Sequence, residues 1–173
     1  VAAGKGERTG AALPKQYAPL AGRAMLAWSH QAFGDHPAID EVLVVIGAGQ
    51  EALLAAAVPG ARHVTGGATR RESVAAGLAA LDGADLVLVH DAARPFLSAA
   101  VIDRLIAALA THDGAVPVLP VADTLVNADG ANVPREALRR VQTPQAFRFV
   151  TLAAAHRAWR GGEATDDAQM VRA

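Results

Sequence analysis

The sequence predicts an α/β domain built on a doubly wound, mostly parallel sheet, and three observations carry that prediction. Short continuous apolar runs rich in β-branched residues, VLVVI at 42–46 and DLVLV at 85–89, read as strands buried on both faces. Segments with helical spacing separate these runs. Glycine or polar residues stand where each run stops. Strands alternating with helices argue for βαβ units and a parallel sheet covered on both sides.

Taken in order, residues 1–3 read as the tail of a buried strand feeding a glycine-rich turn. Residues 24–33 (AMLAWSHQAF) place Met25, Trp28, Ala32 and Phe33 on roughly one helical face. After the strand at 42–46, residues 51–58 read as a helix and 62–65 as a short strand ending at Gly66-Gly67. Residues 70–81 read as a helix, 85–89 as a strand, 99–110 as a helix and 115–121 as a strand. The rhythm then changes. Residues 124–127 and 132–133 flank an Asp129-Gly130 step, a hairpin signal, and 139–142 reads as a further short strand. The expectation is one domain over 1–173 with a β-arm inserted at about 122–142. Residues 152–160 return to a helix, and Thr165 precedes Asp166-Asp167 as an N-cap with acidic first-turn residues.

Composition excludes several classes. The chain has 173 residues, enough for one sizeable core, and 52% of them are hydrophobic against 19% charged, which rules out a disordered chain. A net charge of −1 gives no general bias toward nucleic acid or an anionic membrane, so any anion site is local. The absence of cysteine excludes disulfides, thiolate metal sites and a cysteine nucleophile. No apolar run approaches the ~18 residues of a membrane span, and no signal peptide is visible; the expected compartment is the cytoplasm. The start at Val1, inside a strand and without Met, is read as the mark of a fragment.

In a doubly wound sheet, ligands bind beyond the carboxyl ends of the strands. Three such ends carry candidate residues: 4–15, 66–73 and 90–95. In VAAGKGERTGAALPKQY, Gly4, Gly6 and Gly10 let backbone N–H groups approach phosphate oxygens, while Arg8 and Lys15 supply charge. The two lysines of the chain, Lys5 and Lys15, both fall here, against fourteen arginines overall. The spacing fits neither a Walker loop nor a dinucleotide fingerprint. A tight structural turn is the competing reading. In HDAARP, Asp91 stands just past a buried strand, where a carboxylate holds Mg²⁺ together with phosphate oxygens. Equally, Asp91 can cap the turn and pair with Arg94. Arg70 and Arg71 read as solvated charge at a helix start, Asp166 and Asp167 as either caps or ligand contacts, and His90 as structural. The six histidines show no ligand spacing, and no G-x-S-x-G elbow is present.

The segments AAGKGER, LPKQY, GGATRRES, VHDAARPF, PVADT, QTPQAF and TDD, in this order, resemble the 2-C-methyl-D-erythritol 4-phosphate cytidylyltransferase family over essentially the whole chain. The resemblance implies a Rossmann-like nucleotide-diphospho-sugar transferase fold. It also implies transfer of CMP from CTP to methylerythritol phosphate with release of pyrophosphate, in non-mevalonate isoprenoid synthesis. By similarity, Arg8 and Lys15 stabilise the transition state. Ala2, Ala3, Gly4, Gly6, Gly67, Ser73, Asp91 and Ala92 hold CTP, with Asp91 also serving Mg²⁺ or another divalent cation. Arg94, Thr124, Arg135 and Thr143 reach the acceptor, with Arg139 and Arg140 competing for the role of Arg135. The family's arm implies a homodimer in which Thr124 and Arg135 complete the neighbour's site; nucleic acid and membranes are not expected partners.

The family continues for some tens of residues beyond TDD and carries a further phosphate-contacting lysine there. The chain ends at Ala173 without it, so it is read either as a fragment of a full enzyme, including one fused to a downstream pathway domain, or as impaired. The polypeptide as given is expected to be weakly active or inactive, and its parent active. Two other functions compete: a ribitol 5-phosphate cytidylyltransferase with nearly the same motifs, and a non-catalytic nucleotide-binding module. A dinucleotide-dependent oxidoreductase fails on glycine spacing.

Overall fold

The computed structural model describes residues 1–4, 13–81 and 83–173. After a 3-10 turn at Lys15–Tyr17, a small antiparallel ribbon joins β1 (Pro19–Leu20) and β2 (Arg23–Ala24), and α1 (Met25–Gly34) follows. The chain then alternates through β3 (Val44–Ile46), α2 (Glu51–Ala57), β4 (His63–Thr65), α3 (Arg70–Ala80), β5 (Leu86–Val89) and α4 (Ala99–Ala108). Next come β6 (Gly114–Ala115), β7 (Val118–Pro120), β8 (Leu125–Val126), β9 (Asn132–Val133), β10 (Arg139–Val141) and β11 (Gln145–Arg148), then α5 (Phe149–Ala158) and α6 (Asp167–Arg172).

β3 pairs with β4 in parallel, and Ala2 bridges Ile46, also in parallel. The Val1 nitrogen donates to the His90 carbonyl (2.5 Å) and Ala92 N–H donates to the Val1 carbonyl (3.0 Å), which seats residues 1–2 between β3 and the end of β5. Beyond β5 the sense reverses, because β11 is antiparallel to both β5 and β6. The chain is thus α/β with a parallel block and an antiparallel edge, an arrangement common in large sheets. The sequence reading did not anticipate β11: QAFR is no β-branched run, and its first residue is a glutamine.

Side-chain alternation sorts the two faces. Val44 and Ile46 pack with Ala2, Tyr17, Leu26, Leu54 and Ala92 on the α1 and α2 side. Between them Val45 faces the opposite way, toward α3, where a Cβ on Gly77 would come within 2.9 Å of Val45 Cγ2. In β5, Val87 and Val89 join Val74, Leu78, Phe147, Leu152 and Ala168 beneath α3, α5 and α6. Leu86 and Leu88 turn instead to Leu105 of α4 and to Leu109 just past its end, with Ala146. Continuous apolar runs are what strands covered on both faces require.

The segment between β6 and β11 leaves the sheet. β7 and β10 pair antiparallel, and β8 and β9 form a hairpin whose turn holds Gly130 at φ 88°. Val118, Leu119, Val126, Leu138 and Val141 are exposed along this arm.

Candidate active site

Ala2 lies buried in the sheet, and Gly4 emerges from it exposed. The PKQY turn is clamped back onto this exit. Gln16 Nε2 donates to the carbonyls of Ala2 (2.5 Å) and Gly4 (2.9 Å), and Tyr17 Oη donates to Gln50 Oε1 (3.3 Å). With Gln16 and Tyr17 buried, Lys15 is left exposed. Lys15 is therefore presented by the two residues that follow it, a function of PKQY invisible in the sequence. Gly6 and Arg8, with Lys5, lie outside the described residues.

The second strand end carries Gly66 and Gly67 into α3. Thr69 caps this helix: its hydroxyl accepts from Glu72 N–H (3.1 Å), while Glu72 Oε2 accepts from the N–H groups of Ala68 (2.8 Å) and Thr69 (3.1 Å). Such a reciprocal box fixes how the loop enters the helix. Ser73 is 1% exposed, and its hydroxyl donates to the Thr69 carbonyl (2.9 Å), so it braces the loop from below. Gly67 itself is exposed.

The third end gathers the most polar groups. Asp91 N–H donates to Thr143 Oγ1 (3.2 Å), and the same hydroxyl meets His90 Nδ1 (3.1 Å). Arg94 Nε donates to Asp91 Oδ2 (3.1 Å), and its Nη1 donates to Gln142 Oε1 (2.6 Å). Asp91, Arg94 and Thr143 thus meet at one place although 52 residues separate the first from the last. Ala92 is buried in the core beside Ala2, and its carbonyl accepts from Ser29 Oγ (3.1 Å). His90 packs edge-on against Phe33 at 5.3 Å. Burial chiefly lowers its pKa to about 4, with smaller influences of both signs from neighbouring groups, so it is a neutral structural ring at neutral pH.

Two groups beyond this set belong to it. Arg70 reaches Asp91 Oδ1 (3.7 Å) and Asp167 Oδ2 (2.7 Å), rather than standing in solvent. The two aspartates of TDD divide their work. Asp166 caps α6 by accepting from Gln169 N–H (2.7 Å), whereas Asp167 is fully buried against Arg70 and His156 (3.2 Å). Burial, the largest influence, pushes the Asp167 carboxyl up, but the His156 hydrogen bond and the Arg70 charge together outweigh it and hold the group below its ordinary value. Thr124 and Arg135 lie exposed in the arm. Arg135 Nη1 donates to the Ala122 carbonyl, and among the described residues neither side chain bonds to the Asp91 cluster.

A cavity of about 460 Å³ lies elsewhere, bordered by Leu26, Phe33, Leu43, Leu86, Leu88 and Ile106. Of the predicted site residues that are described, only Ala92 borders it. The described predicted residues stand instead at the open carboxyl edge of the sheet, where strand ends bring together groups from distant parts of the chain.

The family model described as "IspD: 2-C-methyl-D-erythritol 4-phosphate cytidylyltransferase" matches residues 1–173. The chain belongs to this family. It is 63% identical over 180 residues to the bifunctional enzyme IspD/IspF of Rhizorhabdus wittichii, covering all of this chain and 47% of that protein. It is 46% identical over 184 residues to the 2-C-methyl-D-erythritol 4-phosphate cytidylyltransferase of Cereibacter sphaeroides, covering all of this chain and 81% of that one. The chain thus spans about half the length of the bifunctional relatives it matches. The crystal structure of the cytidylyltransferase from Thermus thermophilus superposes with a TM-score of 0.81 at 45% identity, covering 92% of this chain and 78% of that one. The bifunctional IspDF from Campylobacter jejuni gives 0.86 at 27% identity, covering 99% and 45%.

Proposed function

We propose that this domain, in its full-length parent, transfers CMP from CTP to 2-C-methyl-D-erythritol 4-phosphate, releasing pyrophosphate, in isoprenoid precursor synthesis. The observation that carries the reading is a convergence. In a chain matched end to end by the cytidylyltransferase family, the PKQY clamp, the capped Gly66–Gly67 turn and the Asp91–Arg94–Thr143 cluster all stand at strand ends. Phosphoryl transfer of this kind asks the protein for alignment and for neutralisation of the charge developing at phosphorus.

Lys15, with Arg8, supplies that positive charge. CTP rests on the backbone of Ala2, Ala3, Gly4 and Gly6 and on Gly67, with Ser73 supporting the loop and Ala92 the floor. Arg94, Thr143 and, from the arm, Thr124 and Arg135 hold the acceptor so that its phosphate oxygen faces the α-phosphorus in line. Asp91 alone does not fit Mg²⁺: its Oδ2 takes Arg94 Nε at 3.1 Å and its Oδ1 faces Arg70 Nε at 3.7 Å, so two guanidinium charges already face the one carboxylate, and a cation there would be held chiefly by substrate phosphates and water. When bound, the cation neutralises phosphate charge. The exposed apolar residues of the arm support assembly as a homodimer through it. Among the described residues no helix is long and apolar enough to cross a membrane, and a cytoplasmic location is proposed.

The test is pyrophosphate release with CTP by the tail-restored parent, offering methylerythritol phosphate and ribitol 5-phosphate in parallel. Release with methylerythritol phosphate is expected. Preference for ribitol phosphate overturns the acceptor, and tight CTP binding without release under either acceptor favours a binding module.

A further inference from the structure

His90 closes a chain of hydrogen bonds whose direction the structure fixes. Its Nε2 lies 3.0 Å from the Arg94 carbonyl, and its Nδ1 lies 3.1 Å from Thr143 Oγ1. A carbonyl only accepts, so the bond at Nε2 forms only if Nε2 carries the proton. Burial keeps the ring neutral at neutral pH, which leaves Nδ1 bare and able only to accept. The Thr143 hydroxyl is therefore the donor at Nδ1, while its oxygen accepts from Asp91 N–H (3.2 Å). Phe33 packs edge-on against the ring at 5.3 Å. Arg94 N–H donates to the Asp91 carbonyl (3.0 Å), so the ring also closes the turn that carries Arg94.

A hydroxyl has one proton and two lone pairs. In Thr143 the proton goes to His90 and one lone pair goes to Asp91 N–H, so a single lone pair remains. Thr143 is only partly buried, which leaves that lone pair open to a ligand. Held this way, Thr143 has no proton to give a phosphate oxygen, but it can accept from an O–H. We propose that His90 is a positioning residue that sets the polarity of the Thr143 hydroxyl, so that Thr143 receives a hydroxyl of the acceptor's polyol chain rather than its phosphate. The proposal rests on the acceptor-holding role given to Thr143 above.

Asn and Gln separate the two halves of the imidazole. An Asn amide oxygen falls near the position of Nδ1, and a Gln amide nitrogen falls near that of Nε2. The tail-restored parent is compared as wild type, His90→Asn, His90→Gln, Thr143→Val and the double variant of the last two, by steady-state kinetics and thermal unfolding. Both His90 variants lose the packing against Phe33 and should be destabilised alike. His90→Gln should raise the KM for methylerythritol phosphate by about threefold to tenfold, the worth of one neutral hydrogen bond, and His90→Asn should recover it to within about twofold of the wild type. The KM for CTP should move by less than about twofold in both, and in the Thr143→Val background His90→Gln should add no more than about twofold. Equal KM values for Asn and Gln, or a full effect of His90→Gln without the Thr143 hydroxyl, overturn the proposal and leave His90 a packing residue. Nitrogen NMR of the labelled wild-type imidazole needs no variant: the proton is expected on Nε2, and a proton on Nδ1 overturns the proposal. Calorimetry with methylerythritol phosphate alone repeats the comparison without turnover. A protein that binds it with this pattern but transfers nothing refutes the proposed reaction and leaves the positioning role intact.

Discussion

Replacing Gln16 by leucine probes the clamp on which the presentation of Lys15 depends. The Gln16 amide is buried and donates to two carbonyls, those of Ala2 and Gly4. Gly4 is exposed, so water replaces the lost donor there at little cost. Ala2 is 3% exposed, and its carbonyl loses that donor in a site water does not readily reach. Leaving one buried acceptor unpaired costs about 1–3 kcal/mol. Leucine fills much of the vacated volume, so little cavity cost is added. For a domain of this size each kcal/mol moves the midpoint by about 2–4 °C, and a loss of about 2 kcal/mol therefore lowers Tm by roughly 4–8 °C. Thermal and urea unfolding measure this directly. The second readout is turnover. The clamp ties the residue after Lys15 to the backbone of Ala2 and Gly4, and misplacement of a positioned group by about 1 Å costs on the order of 100-fold. A fall in kcat of between about tenfold and 100-fold is expected. Gln16→Glu, of nearly the same shape, sets a carboxylate against two carbonyls and should be less stable than Gln16→Leu at neutral pH. A Tm within about 1 °C of the wild type refutes the assignment of the buried hydrogen bond. A full loss of stability with unchanged kcat refutes the link to Lys15.

Lys15→Ala should lower kcat by roughly 10²–10³-fold while leaving stability within about 0.5 kcal/mol, because the side chain is exposed; unfolding beside steady-state kinetics separates the two, and unchanged kcat removes its role. Gly67→Ala would drive a Cβ into the Glu72 side chain and open the capping box, costing about 1–3 kcal/mol and raising the KM for CTP; a neutral substitution by urea titration contradicts this. The lowered carboxyl of Asp167 has a definite sign: its contribution is complete above the unfolded carboxyl value and is lost as pH falls through the lower folded value. Urea stability measured downward from about pH 5 should therefore decline more steeply for the wild type than for Asp167→Asn, and parallel curves would exclude the buried ion pair as the cause.

Sequence legibility followed how locally each feature is determined. The strand before HDAARP was legible because LVLV is apolar at successive positions, and so on both faces, and then stops at His90 and Asp91. The Asp129-Gly130 hairpin was legible because its turn needs a positive φ that glycine supplies. β11 was not, because its strand character comes from lying between β5 and β6, and its buried Gln145 is satisfied by backbone groups of α6 that come 22 and 23 residues later. Arg70 looked like surface charge because nothing near it in sequence is its partner; Asp167, far along the chain, brings it inward. The same pairing separates Asp167 from its neighbour Asp166, two residues that a linear reading treats alike. Membership in the family was legible because seven short segments recur in order.

The pairing of β7 with β10 has a consequence for how such a protein can change. Val118 stands opposite Val141, next to the strands that continue into β6 and β11, so the arm's two legs are fastened together where they leave the sheet. Everything between Pro120 and Arg139 is then an excursion with adjacent ends. Lengthening, trimming or exchanging its tip leaves the spacing of β6 and β11 as it was, and with it the placement of Thr143 and Asp91. The fold therefore keeps its carboxyl edge constant while the arm tip remains an exchangeable cassette, free to drift toward a different acceptor or a different neighbour.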